Sequence, residues 1–342
     1  MSTHLSDYQY DLPERLIAQT PLPRRDASRL MRVPLSSEPF SHTTFDALPG
    51  LLRPGDCLVV NDSRVLPARL LGQTASGGAV ELLLLRDTGD LVWECLAKPG
   101  KKARDGARLS FGGGLLTAQV IEVTPEANRL VRFTCDGIFL EMLDKLGQMP
   151  LPPYIHEQLD DPERYQTVYA KVPGSAAAPT AGLHFTPELL QHLADRGIQT
   201  ASLTLHVGLG TFRPVKVDDI ADHVMHAEYA CVPTQTVDCI RNTRRTGGRV
   251  VAVGTTVCRA LESACRETGT LTPFSGFTDI FITPGYTFRA IDGLITNFHL
   301  PGSTLLMLVS ALAGRTRILD AYREAISQEY RFFSFGDAML LL

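Results

Sequence analysis

Between residues 57 and 148 the apolar positions come in short runs, at 57–60, 67–72, 79–85, 91–96, 107–111, 115–123 and 129–135. Gly77-Gly78, Asp87-Thr88-Gly89 and Gly112-Gly113-Gly114 stand between them. Runs of strand length, repeating every 8–12 residues or so between such turns, predict an all-β barrel or sandwich, and one short helix near 139–145 closes it. Beyond Pro150-Leu-Pro-Pro-Tyr154 the period lengthens. Thr186-Pro187-Glu188 reads as a capped helix start with proline in the first turn, and Gly197 stops that helix. Strands are predicted at 199–207, 248–254, 279–283 and 293–299, with helices after Thr255-Thr256 and after Ser303. Alternating strands and helices predict an α/β domain with a largely parallel sheet.

Leu58-Val59-Val60 has the unbroken apolar character of a buried α/β strand, and the first 60 residues are too sparse to fold alone. The chain therefore reads as a discontinuous α/β domain, residues 1–62 and 150–342, with a small antiparallel β-barrel domain, residues 63–149, inserted into it.

Composition adds exclusions. At 342 residues, 44% hydrophobic and 20% charged, the chain is an ordered protein of about two domains. Its longest apolar helix candidate, 305–313, falls well short of the roughly 20 residues of a membrane span. The N-terminus carries Asp7 and lacks the basic, apolar, small-residue order of a signal peptide, so a cytoplasmic protein is expected. Seven scattered cysteines without a C-x-x-C pair imply neither a disulfide framework nor a zinc ribbon. A net charge of −4 excludes a histone-like cationic coat. Three basic clusters remain: Arg24-Arg25 with Arg29 and Arg32; Lys98, Lys101, Lys102, Arg104 and Arg108; and Arg241, Arg244, Arg245 and Arg249. A charge run is usually a solvated face, but three would suit RNA phosphates.

In open α/β sheets ligands bind beyond the carboxyl ends of the strands. Four polar clusters fall at predicted strand ends: Asn61-Asp62-Ser63-Arg64, His206 with Gly208 and Gly210-Thr211, Gly254-Thr255-Thr256, and Asn297-Phe298-His299. Each alone is more often a turn or a satisfied core group; four together mark a site. Gly254-Thr255-Thr256 opens a helix and would favour an anion, although it lacks the glycine and lysine signatures of nucleotide loops. His223, His226 and Glu228 carry ligand chemistry within six residues, but no second ligand group accompanies them, so a metal ranks behind an acid/base role, a ribose contact or a plain surface helix start.

The segment Gly174-Ser-Ala-Ala-Ala-Pro-Thr-Ala-Gly-Leu-His-Phe-Thr186 is too unusual for a generic fold element. Together with Val60-Asn-Asp-Ser-Arg-Val-Leu-Pro-Ala-Arg69, Met149-Pro-Leu-Pro-Pro-Tyr-Ile155, Thr204-Leu-His-Val-Gly208, Ala252-Val-Gly-Thr-Thr256 and Ile295-Thr-Asn-Phe-His-Leu-Pro301, it makes the chain resemble the S-adenosylmethionine:tRNA ribosyltransferase-isomerases of queuosine biosynthesis. The likeness runs over essentially the whole chain, with Gly302 a departure where a charged residue is expected. It implies that the ribosyl part of S-adenosylmethionine moves to 7-aminomethyl-7-deazaguanine at the wobble position of a tRNA, giving epoxyqueuosine and releasing adenine and methionine. It also implies a monomer without a metal.

That chemistry needs a base for a C5′ proton acidified by the sulfonium, an acid at the departing adenine, and a neutral accepting amine. His184, His206 and His299 are expected to line one pocket and move these protons, with Asp62 and Glu228 as supporting carboxylates. Thr180, Ala181, Gly182, Gly254, Thr255, Thr256 and Asn297 are expected to hold S-adenosylmethionine. Arg24, Arg25, Arg64, Lys98, Lys101, Lys102 and Arg104 are the expected phosphate contacts of the tRNA. Two other readings compete. An RNA chaperone without chemistry leaves the strand-end clusters unused; a metal-dependent hydrolase on His223, His226 and Glu228 lacks its second ligand group.

Overall fold

The computed structural model describes residues 4–208 and 215–342, so Gly210-Thr211 lies outside the described residues. The chain first lays down β1 (Arg29–Val33), β2 (Ser41–Thr44), the one-turn helix α1 (Leu48–Leu51) and β3 (Cys57–Asn61). A short β4 (Ser63–Val65) leads into β5 (Arg69–Thr74), β6 (Ala79–Asp87), β7 (Val92–Lys98), β8 (Arg108–Phe111), β9 (Leu116–Val123) and β10 (Arg129–Cys135). Helix α2 (Phe139–Leu146) and β11 (Gly147–Gln148) end this excursion. There follow β12 (Val172–Ser175), α3 (Pro187–Asp195), β13 (Gln199–Leu205), β14 (Glu228–Val232), α4 (Thr234–Arg245), β15 (Val250–Val253) and α5 (Thr255–Ala264). The remaining elements are β16 (Phe274–Thr278), β17 (Gly293–Asn297), α6 (Thr304–Ala313), α7 (Arg315–Ser327) and β18 (Ala338–Leu341).

The large sheet has the strand order β16-β14-β13-β3-β15-β17-β18-β1-β2. Its centre, β13-β3-β15-β17, is parallel. Antiparallel pairings of β14 with β13 and β16, and of β17 with β18, make the whole sheet mixed rather than largely parallel. Burial explains the division. Every residue of β3, β15 and β17 is buried, as strands covered by helices on both faces must be, whereas β14 and β16 alternate and leave one face of that flank open. The strand expected at 279–283 lies instead at Phe274–Thr278. Ile280 and Ile282 do alternate inward, but they do so by packing into the main core rather than through a ladder.

Strands β5, β6, β7, β10, β9 and β8 form the second sheet, and pairing of β5 with β8 closes it into an antiparallel barrel. Leu70, Leu82, Val120, Val131 and Phe133 fill it, and Phe139 and Leu143 of α2 plug it. Each such side chain contributes roughly 1.5–3 kcal/mol. Where the closing strands meet, a Cβ on Gly72 would stand 2.4 Å from Phe111 Cδ1, so only glycine fits. The fold is thus α/β with an inserted β-barrel, and β3, which precedes the barrel in sequence, belongs to the large sheet.

Candidate active site

Strands β15 and β17 are parallel neighbours, so the turns after both open at one edge of the sheet. Gly254, at φ 95, makes the turn into α5 and donates its N–H to Ile295 O at 2.8 Å, which ties the two turns together. No side chain caps α5, and its leading N–H groups remain for a ligand. Beside them Thr256 Oγ1 is buried without a hydrogen-bond partner. Helix α6 begins at the same place: Ser303 caps it, accepting from Leu306 N at 3.2 Å, and Ser303 and Leu305 line the same cleft. Two helix N-termini therefore point their positive ends at one space.

Pro179, Thr180 and Ala181 form one wall, and Tyr154 and Phe333 bring aromatic faces to another, their ring centroids 4.9 Å apart. Tyr154 Oη and Ser334 Oγ are 2.7 Å apart. Phe333 holds φ 69, rare for a residue with a side chain. Three hydrogen bonds impose it: Phe333 N donates to Phe298 O, and Phe333 O accepts from Asn297 Nδ2 and Gly336 N. The cleft is a partly open hollow with a cavity volume of about 90 Å³.

Behind the cleft runs a chain of buried polar groups. Thr180 Oγ1 donates to Asn297 Oδ1 at 3.0 Å, and Asn297 Nδ2 donates to His184 Nε2 at 3.2 Å. An amide nitrogen can only donate, so the His184 proton sits on Nδ1 and is given to Ser28 Oγ, 2.7 Å away. Ser28 Oγ donates in turn to Arg25 O at 3.4 Å. Phe45 stacks on the imidazole with centroids 4.9 Å apart. Burial, with Arg25 and Arg331 nearby, pushes His184 down to about 3, so it stays neutral.

Of the residues expected to hold the donor, Thr180, Ala181, Gly254, Thr255, Thr256 and Asn297 line the cleft. Gly182 does not; it packs under Tyr169, whose Oη lies 2.1 Å from where a Cβ would stand. Of the three imidazoles expected in one pocket, only His299 is among the residues that line this cleft. His299 lines the cleft, with Nε2 2.8 Å from Thr296 Oγ1, and burial holds it at about 3. His184 stands behind Asn297, because the turn Thr180–His184 buries it against Ser28 and Phe45. His206 lies to the side, its ring beside Gly174 and stacked at 6.1 Å on Tyr229. Burial lowers its pKa, and Asp62 partly opposes the shift. Asp62 accepts from Thr204 Oγ1 at 2.7 Å and does not reach the cleft lining.

Glu228 is likewise away from the cleft wall. It is paired with buried Arg259 and accepts from Gly208 N at 2.9 Å. Burial alone would raise its pKa, but Arg259 and His226 outweigh that and hold it at about 2. A carboxylate already neutralised by a guanidinium is a poor metal ligand, and His223 packs edge-on against Phe281. The hydrolase reading loses its centre.

The basic residues divide. Arg25 donates to Leu183 O and Glu163 O, Arg64 pairs with Glu163 at 2.5 Å, and Arg24 pairs with Asp26 at 3.1 Å. Arg25 is thereby tied into the fold, whereas the Arg24 and Arg64 pairs lie at the exposed surface. Lys102 Nζ donates to Ala79 O at 3.0 Å, while Lys98, Lys101 and Arg104 are exposed and make no ion pair among the described residues. Sequence reasoning missed Tyr154, Ser303, Phe333 and Ser334 as cleft residues. One of these, Tyr154, stands in a motif already singled out, Met149–Ile155, but nothing local says that chain positions so far apart meet.

A mixed α/β sheet whose strand ends open on a small-ligand cleft, with a closed barrel attached, defines an enzyme. The chain belongs to the queuosine biosynthesis protein family, whose model matches residues 5–341. It is 57% identical over 338 residues to an S-adenosylmethionine:tRNA ribosyltransferase-isomerase of Acetivibrio thermocellus, covering 98% of this chain and 99% of that one. The enzyme of the same description from Symbiobacterium thermophilum is 60% identical over 339 residues, covering 99% of each. The crystal structure of S-adenosylmethionine tRNA ribosyltransferase from Thermotoga maritima superposes with a TM-score of 0.57 at 38% identity, covering 98% of this chain and all of that one.

Proposed function

We propose that the cleft binds S-adenosylmethionine, and that the enzyme transfers and isomerises its ribosyl unit onto 7-aminomethyl-7-deazaguanine at the tRNA wobble position, yielding epoxyqueuosine, adenine and methionine. One observation carries the reading: Thr180, Gly254–Thr256, Asn297 and His299, far apart in sequence, meet in one cleft with two helix N-termini. The residues suit the donor. The open N-terminus of α5 and the Thr256 hydroxyl would hold its carboxylate; Thr180, oriented by Asn297 and His184, would hold a ribose hydroxyl. Tyr154 and Phe333 offer faces to the sulfonium or the adenine.

We assign proton exchange with the donor to His299, because it lines the cleft and burial keeps it neutral and so free to accept a proton. His184 acts as a fixed, neutral prop. Exposed Lys98, Lys101 and Arg104 are the cations of the barrel loop open to phosphates, and the tRNA would span barrel and sheet. A modified base must leave its stack to enter the cleft. No described helix is long and apolar enough to cross a membrane, and we place the enzyme in the cytoplasm as a monomer without a metal.

Incubating the enzyme with S-adenosylmethionine and tRNA bearing the aminomethyl base should release adenine and methionine in equal amounts and leave the ribosyl label on the RNA. RNA binding without adenine release would favour the chaperone reading instead.

A further inference from the structure

The large sheet leaves one face of its β13-β14-β16 flank open, and the side chains there are not those of an ordinary solvated sheet. Leu205 pairs with Ala230, His206 N donates to Tyr229 O at 3.0 Å, and Tyr229 is directly opposite Phe277. The three rings therefore form a row across adjacent strand positions. His206 and Tyr229 lie 6.1 Å apart and nearly parallel at 19°; Tyr229 and Phe277 lie 5.8 Å apart, edge to face at 73°. Phe277 is 59% exposed and Tyr229 36%. Their neighbours on the opposite face, Ala230 and Thr278, are buried, so the rings are not core residues turned outward by a register error.

We infer that this row is a stacking platform for unpaired nucleotides of an RNA strand, namely the anticodon-loop bases next to the one that enters the cleft. This rests on the tRNA reading above and extends it to a second contact surface. Bases stack on exposed aromatic rings of a sheet without regard to sequence, which a duplex cannot do.

Three features select an RNA strand as occupant. The row stands next to the cleft along the chain, since His206 is followed by Val207, a buried residue that lines it. Hydroxyls accompany the rings on this face: Ser275 Oγ lies 2.8 Å from Tyr229 Oη, and Thr204 Oγ1 donates to Asp62. Of the acids near the row, Glu228 is neutralised by Arg259 and Asp279 by Arg266 at 2.9 Å, and the Asp62 carboxylate beside His206 is offset by exposed Lys171, whose backbone N–H donates to Asp62 O and whose side chain makes no ion pair among the described residues. Gly174 keeps the inner ring in place, since a Cβ there would stand 2.7 Å from His206 Cε1.

The test uses an anticodon stem–loop RNA carrying the aminomethyl base. Phe277→Ala should raise the KM for this RNA by roughly five- to a hundred-fold, the weight of one base–aromatic stack. The KM for S-adenosylmethionine and kcat at saturating RNA should not change. Phe277→Trp should restore the KM, and its added fluorescence should be quenched by the stem–loop but not by a duplex of equal length. An unchanged RNA KM in Phe277→Ala overturns the platform. So does a dimer in sedimentation velocity that this substitution abolishes, because the face is then a contact between copies. Adenine release by the unaltered enzyme is scored separately: its absence defeats the ribosyl-transfer reading, while the quenching still reports on the platform.

Discussion

Asn297 ties three groups together with one amide, and of these only Phe333 O has a second partner among the described residues, Gly336 N. Nδ2 serves His184 Nε2 and Phe333 O, and Oδ1 accepts from Thr180. Asn297→Asp keeps the shape but turns two donations into contacts between acceptors, each costing about 1–3 kcal/mol. The expected result is a melting temperature several degrees lower and at least tenfold weaker S-adenosylmethionine binding by calorimetry. Thr255→Val should weaken binding of the donor more than binding of tRNA; the opposite ranking would count against the placement of the carboxylate. His184 and His299 also predict a pH dependence. Their ordinary value is 6.5 and the fold holds both at about 3, so between these limits the unfolded chain binds protons that the folded chain refuses. Stability therefore falls as pH drops from 6.5 toward 3. His299→Gln should flatten that slope over about pH 4 to 6 by close to one proton, about 1.4 kcal/mol per pH unit. The cleft residues at strand ends were legible because several polar clusters fall at predicted strand ends, where α/β sheets bind ligands, although each alone reads as an ordinary turn. The tautomer of His184 was not, since Ser28 and Asn297, which set it, come from opposite ends of the sequence.

At the level of elements, the backbone at Phe333 carries strain that its neighbours enforce. Phe333→Gly removes that strain, whereas Phe333→Ala keeps it; both delete the ring. Denaturant unfolding should therefore find the glycine variant more stable than the alanine variant by about 1 kcal/mol, with donor binding abolished in both. If alanine proves the more stable, the φ of 69 is not imposed on that residue. The barrel strands could be read from the sequence because turns punctuate them and their register follows the turns. Strands β14 and β16 could not: both alternate around a face that stays open, and Gly276 dilutes the apolar signal of the second. Helix α4 was hidden by its charge, because Arg241, Arg244 and Arg245 read as a basic patch while Val237 and Ile240 buried its other side.

For the whole molecule, we propose domain borders at 62/63 and 149/150; the barrel's core begins at Leu66, whereas β4 pairs with β12 and Val65 packs against Ala18 and Ile155 outside the barrel. A fragment of residues 63–149 should then fold alone, giving a cooperative thermal transition by circular dichroism; a chain that melts without a transition would move the borders. Replacing Lys101, Lys102 and Arg104 by Ala should raise the tRNA KM and lower the salt slope of binding by about one unit for each phosphate no longer neutralised. Donor affinity should be untouched, and an unaltered slope would make the loop a solvated face.

The position of β18 has a consequence for how the protein is made. It is synthesised after every other strand of the large sheet, yet it lies inside that sheet, wholly buried between β17 and β1. Until it emerges from the ribosome, β1 and β2 have no place in the sheet. Asn61 meanwhile waits for Leu205, 144 residues later, which at about 5–20 residues per second is roughly 7–30 s of exposure for an apolar strand. The barrel closes on local pairings and can form during that interval. The nascent chain thus carries a finished barrel beside an unfinished sheet, and it is in this state that the protein most needs a chaperone.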